Sequence, residues 1–140
     1  MIDISIIIVN YKVKEFIIPC IDSIYKNKPN KFLIELIVID NNSNDNSVEL
    51  IKKKFHNLIL IENNKNVGFS VAVNQGVKKA KGKYLFILNP DTLIIEDSLS
   101  KLILFARKQK NVGIIGPCII SNLNKIQQSF WRKTTLINTI

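Results

Sequence analysis

The sequence predicts an α/β fold in which a mostly parallel sheet carries helices on both faces. Short apolar runs alternate along the chain with stretches whose apolar residues recur every three or four positions, the patterns of strands and helices respectively. Tyr84–Leu88 is aromatic or aliphatic throughout, which is typical of a parallel strand buried on both faces. The length of 140 residues suits one domain, and we expect residues 1–140 to form it.

The first half of the chain contains three predicted strand and helix pairs. Aliphatic and mostly β-branched residues predict strands at 4–9, 33–39 and 58–61. The first helix contains Pro19 in or near its first turns. Ser43 or Ser47 is expected to cap the second helix. A tight turn at Asn66 and Gly68, which both tolerate positive φ, is expected to precede the third helix.

The second half is predicted to add two strands and one helix. Residues 84–88 form an interior strand, which Pro90 ends because proline lacks the N–H that a central ladder needs. The next helix has an apolar face formed by Leu99, Leu102, Ile103 and Ala106. Residues 112–117 are predicted to form a further strand that stops at Pro117. The pair at 130–131, Phe-Trp, has no clear partner in the pattern.

The composition limits the classes of function. No window approaches the roughly 18 uninterrupted apolar residues of a membrane span, and the first five residues contain no basic region, so we expect an unprocessed, cytoplasmic protein. Cys20 and Cys118 lack the spacing of a disulfide framework or metal cluster. The net charge of +9 suits a polyanion, an anionic membrane or a phosphorylated substrate. Because the lysines are scattered near helix ends, a solvated face is the simpler interpretation.

Polar clusters directly follow three of the predicted strands, at residues 10–11, 40–42 and 89–91. The carboxyl ends of parallel strands meet at one edge, where open α/β sheets bind ligands. Carboxylates and amides can pair with a base or ribose, an aromatic ring can stack, and a lone carboxylate can hold a hard cation. Each cluster alone is explained by an ordinary turn and helix cap, but three at one edge favour a nucleotide site.

Other α/β functions lack their motifs. The turn after the first strand contains no glycine, unlike that of a dinucleotide-binding domain, and a P-loop is absent. The single histidine, His56, lies at a predicted helix end, and neither cysteine lies in a nucleophile elbow. Hydrolysis by a serine or cysteine nucleophile therefore has no support.

Four motifs, in order, resemble those of the family 2 glycosyltransferases. They are Ile6-Ile7-Ile8-Val9-Asn10-Tyr11, residues 37–45 (Ile-Val-Ile-Asp-Asn-Asn-Ser-Asn-Asp), Asn66-Val67-Gly68-Phe69 with Asn74 and Gly76, and Leu88-Asn89-Pro90-Asp91. The resemblance extends to about Arg132 and is greatest to the rhamnosyltransferase-like branch, in which Asn-Pro-Asp replaces the more usual Asp-x-Asp. It implies a Rossmann-like GT-A fold that binds a nucleotide-diphosphate sugar. It also implies transfer of the sugar to an acceptor hydroxyl with inversion, in polysaccharide or glycolipid synthesis.

The resemblance implies a role for each matching residue. Asn10 and Tyr11 would border the nucleotide, Asp40 would accept a hydrogen bond from the base, and Asn42 or Asp45 would lie near the base or ribose. The donor-binding set would also include Gly68, Asn74 and Asn89. Asp91 would bind Mg²⁺ or Mn²⁺ that bridges the diphosphate, where the cation neutralises charge on the leaving group.

The end of the sequence departs from the family pattern. Inversion needs a general base, which in the family lies in a later segment than residue 140, and no Asp or Glu follows Asp97. We therefore expect a donor-binding domain without its acceptor part, incomplete at its C-terminus and prone to self-association. The expected partners are a nucleotide-sugar donor and a glycan or lipid-linked acceptor, with no nucleic acid. Peripheral association with the inner face of a membrane stays open.

Two alternatives belong to other classes. One is a non-catalytic nucleotide-sugar-binding or scaffold module, favoured by the lack of a later carboxylate. The other is a basic α/β domain that binds nucleic acid or an anionic membrane through its lysines, which salt-dependent binding to such polyanions would reveal.

Overall fold

The computed structural model describes residues 1–121, 123 and 125–127. The strands are β1 Ile4–Asn10, β2 Ile34–Asp40, β3 Ile59–Glu62, β4 Tyr84–Leu88, β5 Ile119–Ile120 and β6 Ile126–Gln127. The helices are α1 Lys14–Lys26, α2 Ser47–Lys54, α3 Phe69–Lys79 and α4 Ser98–Lys108. The chain divides into two compact units, Met1–Leu104 and Phe105–Ile140. Within the described residues, no helix is both long and apolar enough to span a bilayer.

The first unit contains a four-stranded parallel sheet in the order β3-β2-β1-β4. Each strand is followed by a helix, as the alternating patterns predict. The register places Asn10 beside Asp40 and Asp40 beside Glu62, so three strands end side by side. The chain order reverses between β1 and β4. That reversal is the kind of switch point at which open α/β sheets bind ligands.

Helices cover both faces of this sheet, as predicted. One face buries Ile6 and Ile8 of β1 against α1 and α2, together with Leu99 of α4. The opposite face buries Ile7 and Val9 of β1 against α3. A Cβ atom on Gly76 of α3 would lie 2.7 Å from a methyl group of Ile7, so the glycine allows this helix to approach the sheet closely.

The prediction that Tyr84–Leu88 is an interior strand, buried on both faces, is wrong within the described part of the chain. β4 is not an interior strand but the edge of the described sheet, paired with β1. Leu85 and Ile87 are half exposed, at 49% and 50%. These two side chains share a face with Ser5 and Ile7, and the core formed by α3 on that face is built from β1 and β2 residues. A purely apolar strand therefore presents apolar side chains to solvent.

The second unit departs from the predicted pattern. Residues 112–117 form no strand, and Ile114 is 92% exposed. Two glycines at 113 and 116 weaken strand formation, and no described strand pairs with this segment. The strands among the described residues of this unit are instead β5 and β6, which pair antiparallel. The predicted aromatic pair at 130–131 lies outside the described residues.

Candidate functional site

The carboxyl edge of the parallel sheet is formed by the last residues of four strands and the loops that follow them. These loops comprise residues 11–13, 41–46, 63–68 and 89–97. They contain every predicted site residue except Asn10 and Asp40, which end β1 and β2, and Asn74, which lies on α3. The sheet therefore brings nearly all of the predicted set to one edge.

Asn10 lies beneath this edge and organises it. Its side chain is fully buried, and Nδ2 lies 2.7 Å from Asp40 Oδ1, 3.0 Å from Ser43 Oγ and 2.7 Å from Ser47 Oγ. An amide carries two N–H hydrogens, so these three acceptors share two donations. The buried Oδ1 of Asn10 has no hydrogen-bond partner among the described residues. This amide ties the end of β1 to the loop between β2 and α2.

Asp40 is also engaged inside the loop. It is 4% exposed, and its Oδ1 accepts hydrogen bonds from Asn10 and from Ser43 Oγ at 2.5 Å. Its Oδ2 accepts from the backbone N–H of Ser43 at 3.1 Å. The predicted hydrogen bond to a base would have to use the remaining lone pair of Oδ2, since Oδ1 already has two donors.

The serines predicted to cap α2 have a different role. The N-cap of α2 is Asn46, with φ of 65° and no side-chain capping bond. Ser43 and Ser47 are buried and face the Asn10 amide. The prediction of a serine cap is therefore wrong, because both hydroxyls are used to satisfy the buried Asn10 and Asp40.

The loop between β2 and α2 uses asparagine for backbone reasons. Asn42, Asn44 and Asn46 have φ of 64°, 52° and 65°, and asparagine enters this left-handed region more readily than most residues. Asn42 is partly exposed, and its Oδ1 accepts a 3.3 Å hydrogen bond from Asn44. The predicted site residue Asn42 thus lies on the open side of the loop.

Asp45 joins the starts of two helices. Its Oδ1 accepts a 3.0 Å hydrogen bond from the backbone N–H of Ser47 at the start of α2. Partial burial raises the pKa of Asp45, but hydrogen bonds from the hydroxyl and N–H of Ser47 and the N–H of Lys14 outweigh it. The net pKa is below the usual value, so the carboxylate is the favoured form and binds the start of α1 as well as α2.

Asn41 is a second organising residue, which the sequence did not single out for a role. It is 2% exposed, donates to Asn66 Oδ1 at 2.8 Å and accepts from the N–H of Val67 at 3.0 Å. Asn66 in turn accepts from the N–H of Gly68 at 2.9 Å. This chain fixes the turn before α3. Of the two residues predicted to have positive φ there, Gly68 does, with φ of 83°, whereas Asn66 is not among the residues that do.

Tyr11 lies at the surface of this edge. Tyr11 is 40% exposed, and Lys12 Nζ lies 5.4 Å from its ring centroid. A side-chain hydrogen bond with Asn66 and the positive charge of Lys12 lower the pKa of Tyr11. The ring therefore spans from the end of β1 to the loop before α3, within reach of a ligand at the edge.

A polar pocket of about 360 Å³ opens between the ends of β2 and β3. Its walls include Asp40, Asn42, Asp45, Glu49, Glu62 and Asn63. The volume falls in the range of small-molecule sites, about 300–1,000 Å³. Four carboxylates in the wall disfavour an anion, so the pocket is suited to an uncharged group with several hydrogen-bonding atoms, or to a cation.

Asn89 and Asp91 lie on the other side of β1 from this pocket, in the loop after β4. The carbonyl of Asn89 accepts from the N–H and hydroxyl of Thr92 at 3.2 and 2.6 Å, which closes the predicted turn. Asp91 is exposed. Burial, with the nearby Asp91 carboxylate, raises the pKa of the Cys20 thiol beneath the turn to about 12. Asp91 therefore presents its carboxylate outward over a neutral thiol.

Asn74 is exposed on α3, away from the buried face of that helix. Its role in donor binding stays a prediction. Gly68 is also exposed, and a Cβ atom there would meet nothing within 4 Å. Its positive φ, and not lack of space, is what requires glycine.

The fold is shared with a solved structure. A mannosyltransferase from Pyrobaculum calidifontis, solved in complex with GDP-Man and Mn²⁺, superposes with a TM-score of 0.71 at 22% identity, covering 84% of this chain and 35% of that one. The described sheet and its helices thus have the GT-A fold of nucleotide-diphospho-sugar transferases.

The chain belongs to glycosyl transferase family 2, whose family model matches residues 5–136. An uncharacterized glycosyltransferase of Mycoplasma genitalium is 35% identical over 117 residues, which are 79% of this chain and 39% of the relative. A poly(ribitol-phosphate) beta-glucosyltransferase of Bacillus spizizenii is 29% identical over 135 residues, which are 94% of this chain and 21% of the relative. The chain thus spans well under half the length of these two relatives.

Proposed function

We propose that this chain is the donor-binding part of a glycosyltransferase. In this proposal it binds a nucleotide-diphosphate sugar at the carboxyl edge of the sheet, and the sugar is transferred with inversion to a hydroxyl of a glycan or lipid-linked acceptor. The observation that carries the proposal is the pair of buried amides, Asn10 and Asn41, which hold three neighbouring loops in one hydrogen-bonded frame. Such a frame is preorganised for a ligand that touches all three loops.

The nucleoside is proposed to enter the polar pocket between β2 and β3. Its base and ribose are uncharged and rich in hydrogen-bonding atoms, which suits a wall of amides and carboxylates. Asn42 and Asp45 would bind the base or ribose from this wall, and Asp40 would contribute its free lone pair. Tyr11, partly exposed beside Asn66, would stack on the base. The predicted contact of Asn10 with the nucleotide would then be indirect, because Asn10 reaches the pocket only through its hydrogen bond to Asp40.

The diphosphate is proposed to lie towards β4, away from the carboxylates of the pocket. Asp91 would hold Mg²⁺ or Mn²⁺ there, and Asn89 would contribute a neutral hydrogen-bonding group. The donor set fits a cation that takes its other ligands from phosphates and water: Asp91 is exposed, and the described residues contain no cluster of three His, Cys, Asp or Glu. When bound, the cation neutralises charge that develops on the leaving diphosphate.

The rhamnosyltransferase-like branch remains part of this proposal. It is supported by Asn89 in place of the first carboxylate of an Asp-x-Asp motif. A single carboxylate holds a divalent cation less tightly than two. We therefore expect metal affinity to depend strongly on the bound nucleotide.

Titration calorimetry tests the donor site. The chain is titrated with UDP, dTDP and GDP, with and without Mn²⁺. The titration with the nucleotide that binds most tightly is repeated on Asp91→Asn. Asp97→Asn is the matched control, because Asp97 is also exposed and lies in the same loop. We expect Mn²⁺ to tighten binding at least about tenfold in the wild type and in Asp97→Asn, but not in Asp91→Asn. Equal Mn²⁺ dependence in both variants would show that Asp91 does not hold the cation.

A second candidate is a nucleotide-sugar-binding module without catalysis. It differs from the first candidate in one respect, since it supplies no general base to the acceptor hydroxyl. Incubation of the chain with a labelled nucleotide sugar and candidate glycan acceptors distinguishes this module from a catalytic glycosyltransferase. Transfer of the label would contradict the module, whereas donor binding without transfer or hydrolysis would support it.

A further inference from the structure

The charged side chains of residues 1–104 are divided between the two edges of the sheet. In a parallel β/α arrangement, helices end and strands begin at the amino edge, opposite the candidate site. Exposed lysines gather there, at the ends of α1, α2 and α3 and in the loops that follow: Lys26, Lys28, Lys31, Lys53, Lys78, Lys79, Lys81 and Lys83. The carboxyl edge instead carries most of the carboxylates, among them Asp40, Asp45, Glu62 and Asp91.

Backbone hydrogen bonds bring the loops of the amino edge together. The N–H of Asp3 donates to the carbonyl of Leu33 at 2.8 Å, and the N–H of Lys83 donates to the carbonyl of Ile2 at 3.1 Å. The segments before β2 and before β4 therefore flank the first residues of the chain. We name this surface the basic end and define it by Lys28, Lys31, Leu33, Lys81, Lys83 and Met1.

The carboxylates near this surface are each engaged by a neighbouring group. Asp3 Oδ2 accepts a 3.0 Å hydrogen bond from the N–H of Leu33. Glu35 accepts hydrogen bonds from Ser5 Oγ and from the backbone N–H groups of Lys81 and Gly82, so it fixes the loop before β4 from within. Asp22 pairs with Lys54 at 2.5 Å, on the α1–α2 side of the sheet. The four lysines of the basic end outnumber Asp3 and Glu35, so this surface has an excess of positive charge.

The basic end also exposes apolar side chains among its lysines. Leu33 is 58% exposed and Met1 is fully exposed. Lysines around exposed apolar residues suit an anionic bilayer, whose headgroup phosphates attract ammonium groups while apolar side chains enter the headgroup region. A nucleic acid is better matched by arginine forks and exposed aromatic rings, and the basic end contains neither.

We propose that the basic end binds the surface of a bilayer that contains anionic lipids. Lys28, Lys31, Lys81 and Lys83 contact headgroup phosphates, and Leu33 and Met1 lie among the headgroups. The seven residues of β1 rise about 20 Å from this surface to the carboxyl edge. The candidate site then opens away from the lipid, towards the aqueous side. This binding does not depend on the proposed donor chemistry.

Vesicle cosedimentation tests the proposal with the full chain. We expect binding to phosphatidylcholine vesicles that contain phosphatidylglycerol, no binding to phosphatidylcholine alone, and weaker binding as salt rises. The double variant Lys31→Gln/Lys83→Gln should bind about 25-fold more weakly, since each lysine near an anionic surface contributes roughly fivefold. The control Lys65→Gln/Lys101→Gln has the same net charge but changes exposed lysines near the carboxyl edge. It should retain wild-type binding.

Leu33→Asn separates a bilayer from other polyanions. Loss of the exposed leucine should weaken vesicle binding roughly fivefold and leave binding to duplex DNA unchanged. An equal loss of vesicle binding in the two double lysine variants would overturn the proposal. Absence of binding to anionic vesicles by the folded wild type would do the same. Lysine-dependent binding to DNA without binding to vesicles would also overturn it, and would assign the basic end to a nucleic acid. Unchanged thermal unfolding of each variant excludes loss of fold as the cause.

Discussion

Asn10 and Asp40 end two adjacent parallel strands, and the amide of Asn10 donates a 2.7 Å hydrogen bond to the carboxylate of Asp40. Both side chains are buried. A buried carboxylate without donors is costly, so this contact stabilises the fold while it fixes the loop that forms the pocket wall. The candidate site is thus supported from beneath by polar groups that a ligand does not reach.

Replacing Asn10 with alanine should destabilise the protein. The substitution removes the donor that Asp40, Ser43 and Ser47 share, and it leaves a buried carboxylate with fewer partners. We expect a loss of about 1–3 kcal/mol in the free energy of unfolding, measured by urea denaturation. Asn64→Ala, at an exposed position in the loop after β3 that has no positive φ, is the control and should change little. Equal midpoints for the two variants would show that the buried amide contributes nothing.

Gly82 lies where the loop before β4 presses against β1. A Cβ atom there would come within 2.4 Å of Ser5 N and 2.7 Å of the carbonyl carbon of Ile4, both backbone atoms. Gly82→Ala should therefore displace the loop and cost about 1–3 kcal/mol of stability. Gly113→Ala is the matched control, since a Cβ atom on Gly113 meets nothing within 4 Å. Similar thermal midpoints for both variants would contradict the close approach.

The stabilising contribution of Asp45 should depend on pH. Hydrogen bonds depress its folded pKa below the ordinary value of 3.8, so its contribution is present at neutral pH and is lost as the pH falls through the folded pKa. Asp45→Asn should lower the urea midpoint at pH 7 and approach the wild type near pH 3. A difference that stays constant between these two pH values would exclude an ionised carboxylate as the cause.

The two cysteines should differ in reactivity. Cys20 is buried, and burial with the Asp91 charge raises its pKa to about 12, whereas Cys118 is exposed. Because the thiolate is the reactive form, a disulfide reagent at pH 8 should modify Cys118 and spare Cys20 until the protein unfolds. The variant Cys118→Ser should therefore react slowly when folded and quickly in urea. Fast modification of the folded variant would contradict burial of Cys20.

Local patterns predicted the strands and helices of the first unit because the strands are short apolar runs and each helix has one buried face. The even-numbered and odd-numbered residues of β1 face different helices, so both faces of this strand are buried, and a nearly continuous aliphatic run is typical of such a strand. The edge position of β4 depends on which strands pair with it, and these strands are distant in sequence. The five apolar residues of β4 alone do not determine that pairing. Residues 112–117 have strand propensity but no described partner, so propensity alone was misleading.

The candidate site was predicted by residue type but not by role. Asn10 lies on the same face of β1 as Ile6 and Ile8, which α2 covers. This two-residue spacing was the feature of the sequence that indicated burial of Asn10. Asn41 and Asn42 are chemically identical neighbours, yet one is buried and bonded to Asn66 while the other faces the pocket. Backbone dihedrals set by the loop decide between them, and a sequence of consecutive asparagines does not reveal those dihedrals.

The most direct test of the donor site is a map of amide shifts in ¹⁵N NMR spectra as UDP, dTDP or GDP is added with Mg²⁺. If the carboxyl edge binds the nucleotide, the shifted amides will lie in the loops that follow β1, β2, β3 and β4, including those of Tyr11, Asn42 and Asp91. The amides of the basic end, such as Lys31 and Lys83, will remain in place. Shifts confined to the basic end, or no shifts at saturating nucleotide in a folded sample, would contradict a nucleotide-sugar site at this edge.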